Sequence, residues 1–243
     1  MLVLLAIPTS LVNPTLFRLL NESHSPLTDL IWLSLTTLGD GMVVGLFAGA
    51  FLVKNPRITA LGVVLLVGGS VLVHIVKPLV DAPRPAAVLE AVHVVGPLLR
   101  SGSFPSGHAA AVVALALAVA HYCRSRIVGL GAVVFAVLVG LSRIFVGAHF
   151  PLDVLAGSIC TLVVFLFLRR FMIPGLERWI PDRPDFSSRR FRMALGLEGV
   201  LALYTIVVHG PRFAEFPLVA EVAGAAVLLV LVYGSARRRA AAE

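Results

Sequence analysis

The chain has 243 residues, of which 58% are hydrophobic and 14% charged, with a formal net charge of +7. Soluble domains carry roughly a quarter charged residues, so this composition excludes an ordinary soluble globule and points to a polytopic membrane protein. The positive charge gathers at the ends of apolar runs, a topology signal that argues against nucleic acid as a partner. Cys123 beside a basic turn and Cys160 within an apolar run make a poor disulfide pair.

The first apolar run, Leu2 to Leu20, lacks the basic start of a signal peptide and is broken by Pro8, Asn13 and Pro14. It reads as an interfacial or re-entrant helix, with a true first span as the alternative. Further runs cover Asp29–Val53, Ile58–Val76, His108–Tyr122, Ile127–Leu141, Leu152–Leu168, Ala194–Val208 and Leu218–Tyr233. Several fall short of the roughly 20 residues that cross a bilayer, so flanking residues must extend those helices. Gly41, Gly45 and Gly49 repeat at helical spacing and suit close helix packing. The organisation expected is a first membrane or interfacial segment (1–28), a core (29–172), a basic linker (173–193) and two C-terminal spans with a basic tail (194–243).

Basic residues sort the connections. Lys54 and Arg57 share one turn and Arg124 and Arg126 another. Arg169, Arg170, Arg178, Arg183, Arg189, Arg190 and Arg192 flank or fill the linker, and Arg237, Arg238 and Arg239 end the chain. Counting alternate spans puts all four groups on one face, which predicts seven spans in a plasma (inner) membrane with a cytoplasmic C-terminus. Segments 77–107 and 142–152 then share the extracytoplasmic face.

These two segments hold the chemistry. Lys77-Pro78-Leu79-Val80-Asp81-Ala82-Pro83-Arg84-Pro85 uses prolines to stop the preceding helix and hold two cations on a stiff turn. They suit one anion, or else anchor to lipid headgroups. In Ser101-Gly102-Ser103-Phe104-Pro105-Ser106-Gly107-His108, Ser106 is a natural N-cap for the helix that follows. The free N–H groups of Gly107 and His108 make an anion site there, with His108 placed to give a proton to a leaving oxygen. A plain capped helix is the alternative. In Ser142–Asp153, Pro151 starts a new helix with Phe150 as its cap, and Asp153 in the first turn reaches back to His149. A histidine so held is oriented and made more basic, fit to be nucleophile or base. Arg143 adds a planar fork suited to phosphate or carboxylate.

Together K-x6-R-P (Lys77 to Pro85), P-S-G-H (Pro105 to His108) and S-R-x5-H-x3-D (Ser142 to Asp153) resemble the three signature motifs of the type 2 phosphatidic acid phosphatase superfamily, in its integral-membrane lipid phosphatase branch. The likeness in layout covers about residues 22–172. It implies an all-α membrane helix bundle, a six-helix phosphatase-type core with two extra C-terminal spans. It also implies metal-independent hydrolysis of a phosphate ester through a phosphohistidine. His149 would attack phosphorus, Asp153 would orient it, and His108 would protonate the leaving group and then activate water. Lys77, Arg84 and Arg143 would bind the phosphoryl oxygens with Ser106 and the Gly107 backbone. No cofactor is implied, and no cluster elsewhere has metal-ligand spacing.

Hydropathy separates this chain from the soluble acid phosphatases and vanadium haloperoxidases of that superfamily. A lipid phosphate is the implied substrate: phosphatidate, phosphatidylglycerol phosphate, a polyprenyl diphosphate or a phosphorylated lipid A. Transfer to another lipid, or lipid transport on a retired site, are the competing functions. Leu38-Gly39-Asp40-Gly41 also resembles the family, with Asp40 shaping the pocket or making a helix break. Between Arg84 and Ser106 a variable wall offers Glu90 and His93 as selectivity candidates beside the plainer reading as solvated loop residues. His74 is expected to be a packed histidine, His121 and His209 interfacial, and Glu198 and Glu221 to snorkel near span ends. The role of the C-terminal spans is open: closing the lipid-facing side, oligomerising or selecting headgroups.

Overall fold

The computed structural model describes residues 12–240, with the side chains of 12, 212, 213 and 237–240 outside that description. The first part of the run expected at Leu2–Leu20 and the side chains of Arg237 to Arg239 therefore lie outside the described residues. The described chain is helical, with α1 Val12–Asn21, α2 Pro26–Leu38, α3 Gly41–Ala50, α4 Pro56–Val80 and a short α5 Pro85–Val88. These lead to α6 Gly107–Tyr122, α7 Arg126–Phe145 and α8 Pro151–Phe171. After α9 Ile173–Trp179 the C-terminal part is α10 Arg189–Tyr204, a π turn Thr205–His209, α11 Gly210–Phe213 and α12 Pro217–Ala240.

α6 is the axis of the bundle, packed by α3, α4, α7 and α8. Its sequence explains why. Ala109, Ala110, Ala111, Ala114, Ala116 and Ala118 are all buried, and small residues let neighbouring backbones close in where lipid gives no hydrophobic drive between helices. At 16 residues it is about 24 Å long, shorter than the hydrocarbon core of a bilayer. The outer helices instead turn large apolar residues outward, such as Ile127, 83% exposed, on α7 and Leu229, 69% exposed, on α12. In a soluble protein such a belt would aggregate, whereas here it is the lipid-facing surface. Among the described residues five helices are long and apolar enough to cross a membrane; a bent pair and the shorter α6 add two apolar segments.

That bent pair corrects one expected run. Asp29–Val53 is not a continuous helix: α2 and α3 meet at 66° across Gly39–Asp40. Asp40 caps α3, its Oδ1 accepting from the Met42 N–H at 2.8 Å. Two further expectations are overturned. Pro78 does not stop α4, which runs on to Val80 and ends at Asp81 in the left-handed conformation (φ 42°). A proline in the last turn deletes one helical hydrogen bond there and leaves the rest of the helix intact. His74 is exposed rather than packed, its Nδ1 2.7 Å from the Ser70 carbonyl oxygen. Of the glycine triplet, Gly49 receives the Glu198 carboxylate and Gly45 touches Leu66, but Gly41 faces no packing neighbour.

The described half of the N-terminal run, α1, buries Phe17 against Phe150 and exposes Leu19. Asn13, one of the residues that breaks the run, accepts from the Leu152 N–H at 3.1 Å and so caps the start of α8. At the opposite end of the bundle, Arg57 donates to the carbonyls of Ile180 and Glu177, both at 2.8 Å. Ile58, Tyr122, Cys123 and Ile173 share the core there, so three of the basic connections gather at one end.

Candidate active site

The other end holds the three motifs. α8 begins as the sequence implies: Pro151 opens it, and the Asp153 carboxylate accepts from the Phe150 N–H at 2.8 Å, closing its first turn. Residues 146–150 form the tight connection from α7, their N–H groups returning to the last α7 carbonyls: Val146 to Ser142 at 2.9 Å, Ala148 and His149 to Arg143 at 3.0 and 3.1 Å. Gly147 takes φ 75°, and the His93 carbonyl lies where its Cβ would be. A side chain there would be excluded twice, by conformation and by space.

His149 is buried beside Asp153, Nδ1 to Oδ2 at 3.5 Å. The distance is that of a charged pair, longer than a formed hydrogen bond. The closer place on Asp153 belongs to Ser103, whose hydroxyl donates to Oδ2 at 2.5 Å. Burial, followed by the charges of Arg143, Arg84 and Lys77, pushes the His149 imidazole well below its ordinary range. The ring is therefore held neutral, the form in which Nε2 keeps its lone pair when Nδ1 bears the proton facing Asp153.

The cations arrive from separate elements and are braced by backbone. Lys77 Nζ donates to the Gly102 carbonyl at 2.6 Å. Arg84 donates through Nε to Ser101 O and through one terminal nitrogen to Ala148 O, both at 3.0 Å, tying the first motif to the third. Arg143, 2% exposed, donates to both oxygens of Glu215 at 2.9 and 3.0 Å and to the Thr36 hydroxyl. His108 stands at the start of α6, half-buried, with Arg143, His149, Arg84 and Lys77 in electrostatic reach.

The second motif is fitted to the third by backbone. Ser106 N donates to Asp153 O at 2.9 Å, and the Ser106 carbonyl occupies the space a Cβ on Gly157 would need. Ser106 holds the N-cap position of α6, but its hydroxyl makes no cap bond, contrary to the natural cap expected. Instead Ser106 Oγ is buried without a partner. Among the described residues six buried side-chain polar atoms are unpartnered, and four belong to Ser106, Arg143, His149 and Asp153. Each such atom costs about 1–3 kcal/mol, so their concentration at one place marks a ligand site.

Sequence reasoning missed Ser103, Thr36 and Glu215. Ser103 lies in the second segment, next to Gly102, with no pattern to assign it a role; Thr36 and Glu215 reach Arg143 from sequence separations of 107 and 72. Asp40, besides capping α3, pairs with His209 Nε2 at 2.9 Å. Glu198 is buried rather than snorkelling, one carboxylate oxygen unpartnered, in the wall of a cavity of about 790 Å³. That cavity is lined by Gly45, Leu66, Val67, His74 and Leu201 and extends to Gly107 at the start of α6. His93 pairs with Asp29, Nε2 to Oδ1 at 2.9 Å.

Three cations, two histidines and a helix N-terminus thus gather at one end of a membrane helix bundle, an arrangement suited to an anion. The PAP2 superfamily profile matches residues 57–174, and the chain belongs to that superfamily. It is 38% identical over 104 residues, 42% of its length, to the undecaprenyl-diphosphatase BcrC of Bacillus subtilis, and spans about half, 52%, of that relative. It is 30% identical over 148 residues to an undecaprenyl-diphosphatase of Sulfolobus acidocaldarius, covering 60% of this chain and 71% of the relative. The crystal structure of Aquifex aeolicus LpxE aligns with a TM-score of 0.64 at 29% identity, over 68% of this chain and 99% of that one.

Proposed function

We propose that this protein hydrolyses a lipid phosphate monoester or diphosphate at the extracytoplasmic face, through a phosphohistidine on His149. The observation that carries this reading is the set of unpartnered buried polar atoms on Ser106, Arg143, His149 and Asp153, inside a ring of three cations. A phosphoryl group accepts from Arg143 Nε and Ser106 Oγ, and the N–H groups at the start of α6 are free to bind its oxygens.

With Nδ1 turned to Asp153, Nε2 of His149 attacks phosphorus as the bond to the leaving oxygen breaks. His108 gives that oxygen its proton. The same imidazole, now neutral, takes a proton from water, which attacks the phosphohistidine and releases phosphate and free His149. Lys77, Arg84 and Arg143 stabilise the charge on the equatorial oxygens throughout, the work other phosphoryl-transfer sites give to magnesium. Turnover is therefore metal-independent.

The apolar cavity between α3, α4 and α10 reaches Gly107 and suits the lipid chain, leaving the phosphate among the cations. A polyprenyl diphosphate is the favoured substrate, because two relatives are named undecaprenyl-diphosphatases. The basic connections at the far end support the orientation, since Lys and Arg accumulate on the cytoplasmic side.

The test is phosphate release by the purified protein in detergent with excess chelator, beside His149→Ala. Polyprenyl diphosphate, phosphatidate, phosphatidylglycerol phosphate and phosphorylated lipid A are the substrates to offer. Release by the wild type and none by the variant is the expected result. No release from any of the four by folded protein overturns the reading, as does release by His149→Ala at the wild-type rate.

A further inference from the structure

We propose that His24, Asp29 and His93 form a binding site for one divalent transition metal, with zinc the best fit, on the rim of the pocket. The three come from separate places: the α1–α2 connection, the first turn of α2 and the wall between Arg84 and Ser106. Spacing in the sequence did not reveal them. In the fold, one ligand atom from each lies within 4.8 Å of the other two.

His93 Nε2 is 2.9 and 3.0 Å from the two Asp29 oxygens, and the His24 ring lies flat on the His93 ring, centroids 3.8 Å apart and planes 6° from parallel. An Asp–His pair is ordinary rim chemistry. The stacked second imidazole is what adds a third donor at the same point. Two imidazoles and a carboxylate suit zinc, and three protein ligands leave a fourth position for water. Donors around a tetrahedral zinc stand about 3.3 Å apart, so the trio must contract. His24 is the exposed member, with room to tilt, while Asp29 and His93 are half-buried.

The backbone of His93 is already anchored. Its N–H donates to Asn21 Oδ1 at 3.0 Å and its carbonyl accepts from Asn21 Nδ2 at 2.8 Å, while Asn21 also donates to Phe145 O at 3.0 Å. Val95 N donates to Val146 O at 3.1 Å, and Gly147 sits against the His93 carbonyl. A metal here therefore braces the pocket wall and the connection carrying His149 against the start of α2. It takes no part in the phosphoryl chemistry, and the site stands whether or not the proposed reaction does.

Titration of the full-length, tag-free, chelator-stripped protein with Zn²⁺ against a chromogenic competitor, and with Co²⁺ by visible absorption, tests the site. One saturable equivalent is expected, with visible Co²⁺ bands. His24→Ala and His93→Gln, both checked for folding, should each weaken binding roughly tenfold or more, the scale seen even for outer-shell partners of metal ligands. His149→Ala should bind as the wild type does. No saturable Zn²⁺ binding, or binding unchanged in both ligand variants, overturns the proposal and leaves the trio a rim ion pair with a stacked ring.

Discussion

Arg143 is bound on both carboxylate oxygens of Glu215, at 2.9 and 3.0 Å, so the C-terminal helices reach into the anion site through a single acidic side chain. Glu215 sits in the short connection between α11 and α12, and its Oε2 lies beside Gly96 of the segment between Arg84 and Ser106. A carboxylate on this arginine occupies donors that a phosphoryl group needs, so substrate and Glu215 compete. Glu215→Gln should therefore tighten inhibition by inorganic phosphate or vanadate and lower KM, by about three- to tenfold or roughly 0.7–1.4 kcal/mol. Unchanged inhibition constants would show that Glu215 only steadies the arginine.

Arg143 itself tests the fork geometry. Its guanidinium reaches Thr36 and Glu215 through one terminal nitrogen and keeps Nε unpartnered. Lysine retains the charge but has a single nitrogen, so it cannot hold Thr36 and also serve two phosphoryl oxygens in a plane. Arg143→Lys should lose about 100-fold or more in kcat, the scale for removing one transition-state donor. Turnover within threefold of wild type would reduce the arginine to a source of field.

What the sequence made legible was the chemistry carried by local pattern. Proline placement located the start of α8 and hence Asp153 in its first turn, while charge asymmetry grouped connections that the fold does gather at one end. The fold then brings all eight proposed site residues to the other end. Long-range partners were not legible. Glu215, Thr36 and Ser103 touch motif residues only because the bundle folds 50 to 107 positions back on itself. An acidic residue in a loop, a threonine near a helix end or a serine in a turn has no periodic signature. His74 and Pro78 depart from local propensity for one reason: which face of α4 meets lipid, or whether a helix has one turn left, is set by neighbours that single-sequence patterns do not name.

The pH profile follows from His149. Burial and three cations lower its proton affinity, so the neutral nucleophile persists on the acid side of 6.5, the ordinary imidazole value. The acid limb of kcat/KM should therefore lie below that value. Removing one cation raises the affinity of His149 for its proton, so Lys77→Gln should move this limb upward in pH while lowering overall activity. The same group contributes to stability with a matching sign: the unfolded chain takes the proton first, so stability falls as pH drops from about 6.5 through the folded value. A limb above 6.5 in the wild type, or one that Lys77→Gln moves downward, would exclude His149 as the titrating nucleophile.

Ser103 and Gly157 hold the nucleophile's partner rather than touch phosphorus. Ser103 donates to Asp153 at 2.5 Å, and Gly157 lets the Ser106 carbonyl approach α8 so that Ser106 N can bind Asp153 O at 2.9 Å. Ser103→Ala removes one acceptor bond from a buried carboxylate and leaves the cavity shape nearly unchanged, so the chain should fold. Its kcat should drop about tenfold with KM little altered, and the acid limb should shift, since Asp153 now leans more fully on His149. Gly157→Val is the harsher change. It drives a branched side chain into backbone that has no room to move, an overpacking cost of about 1–3 kcal/mol or more. It should therefore lower the melting temperature as well as turnover, while Gly41→Ala, at a glycine with open space around its Cβ, should alter neither. Equal melting temperatures for Gly157→Val and wild type would mean that the two helix starts are not held by this close approach.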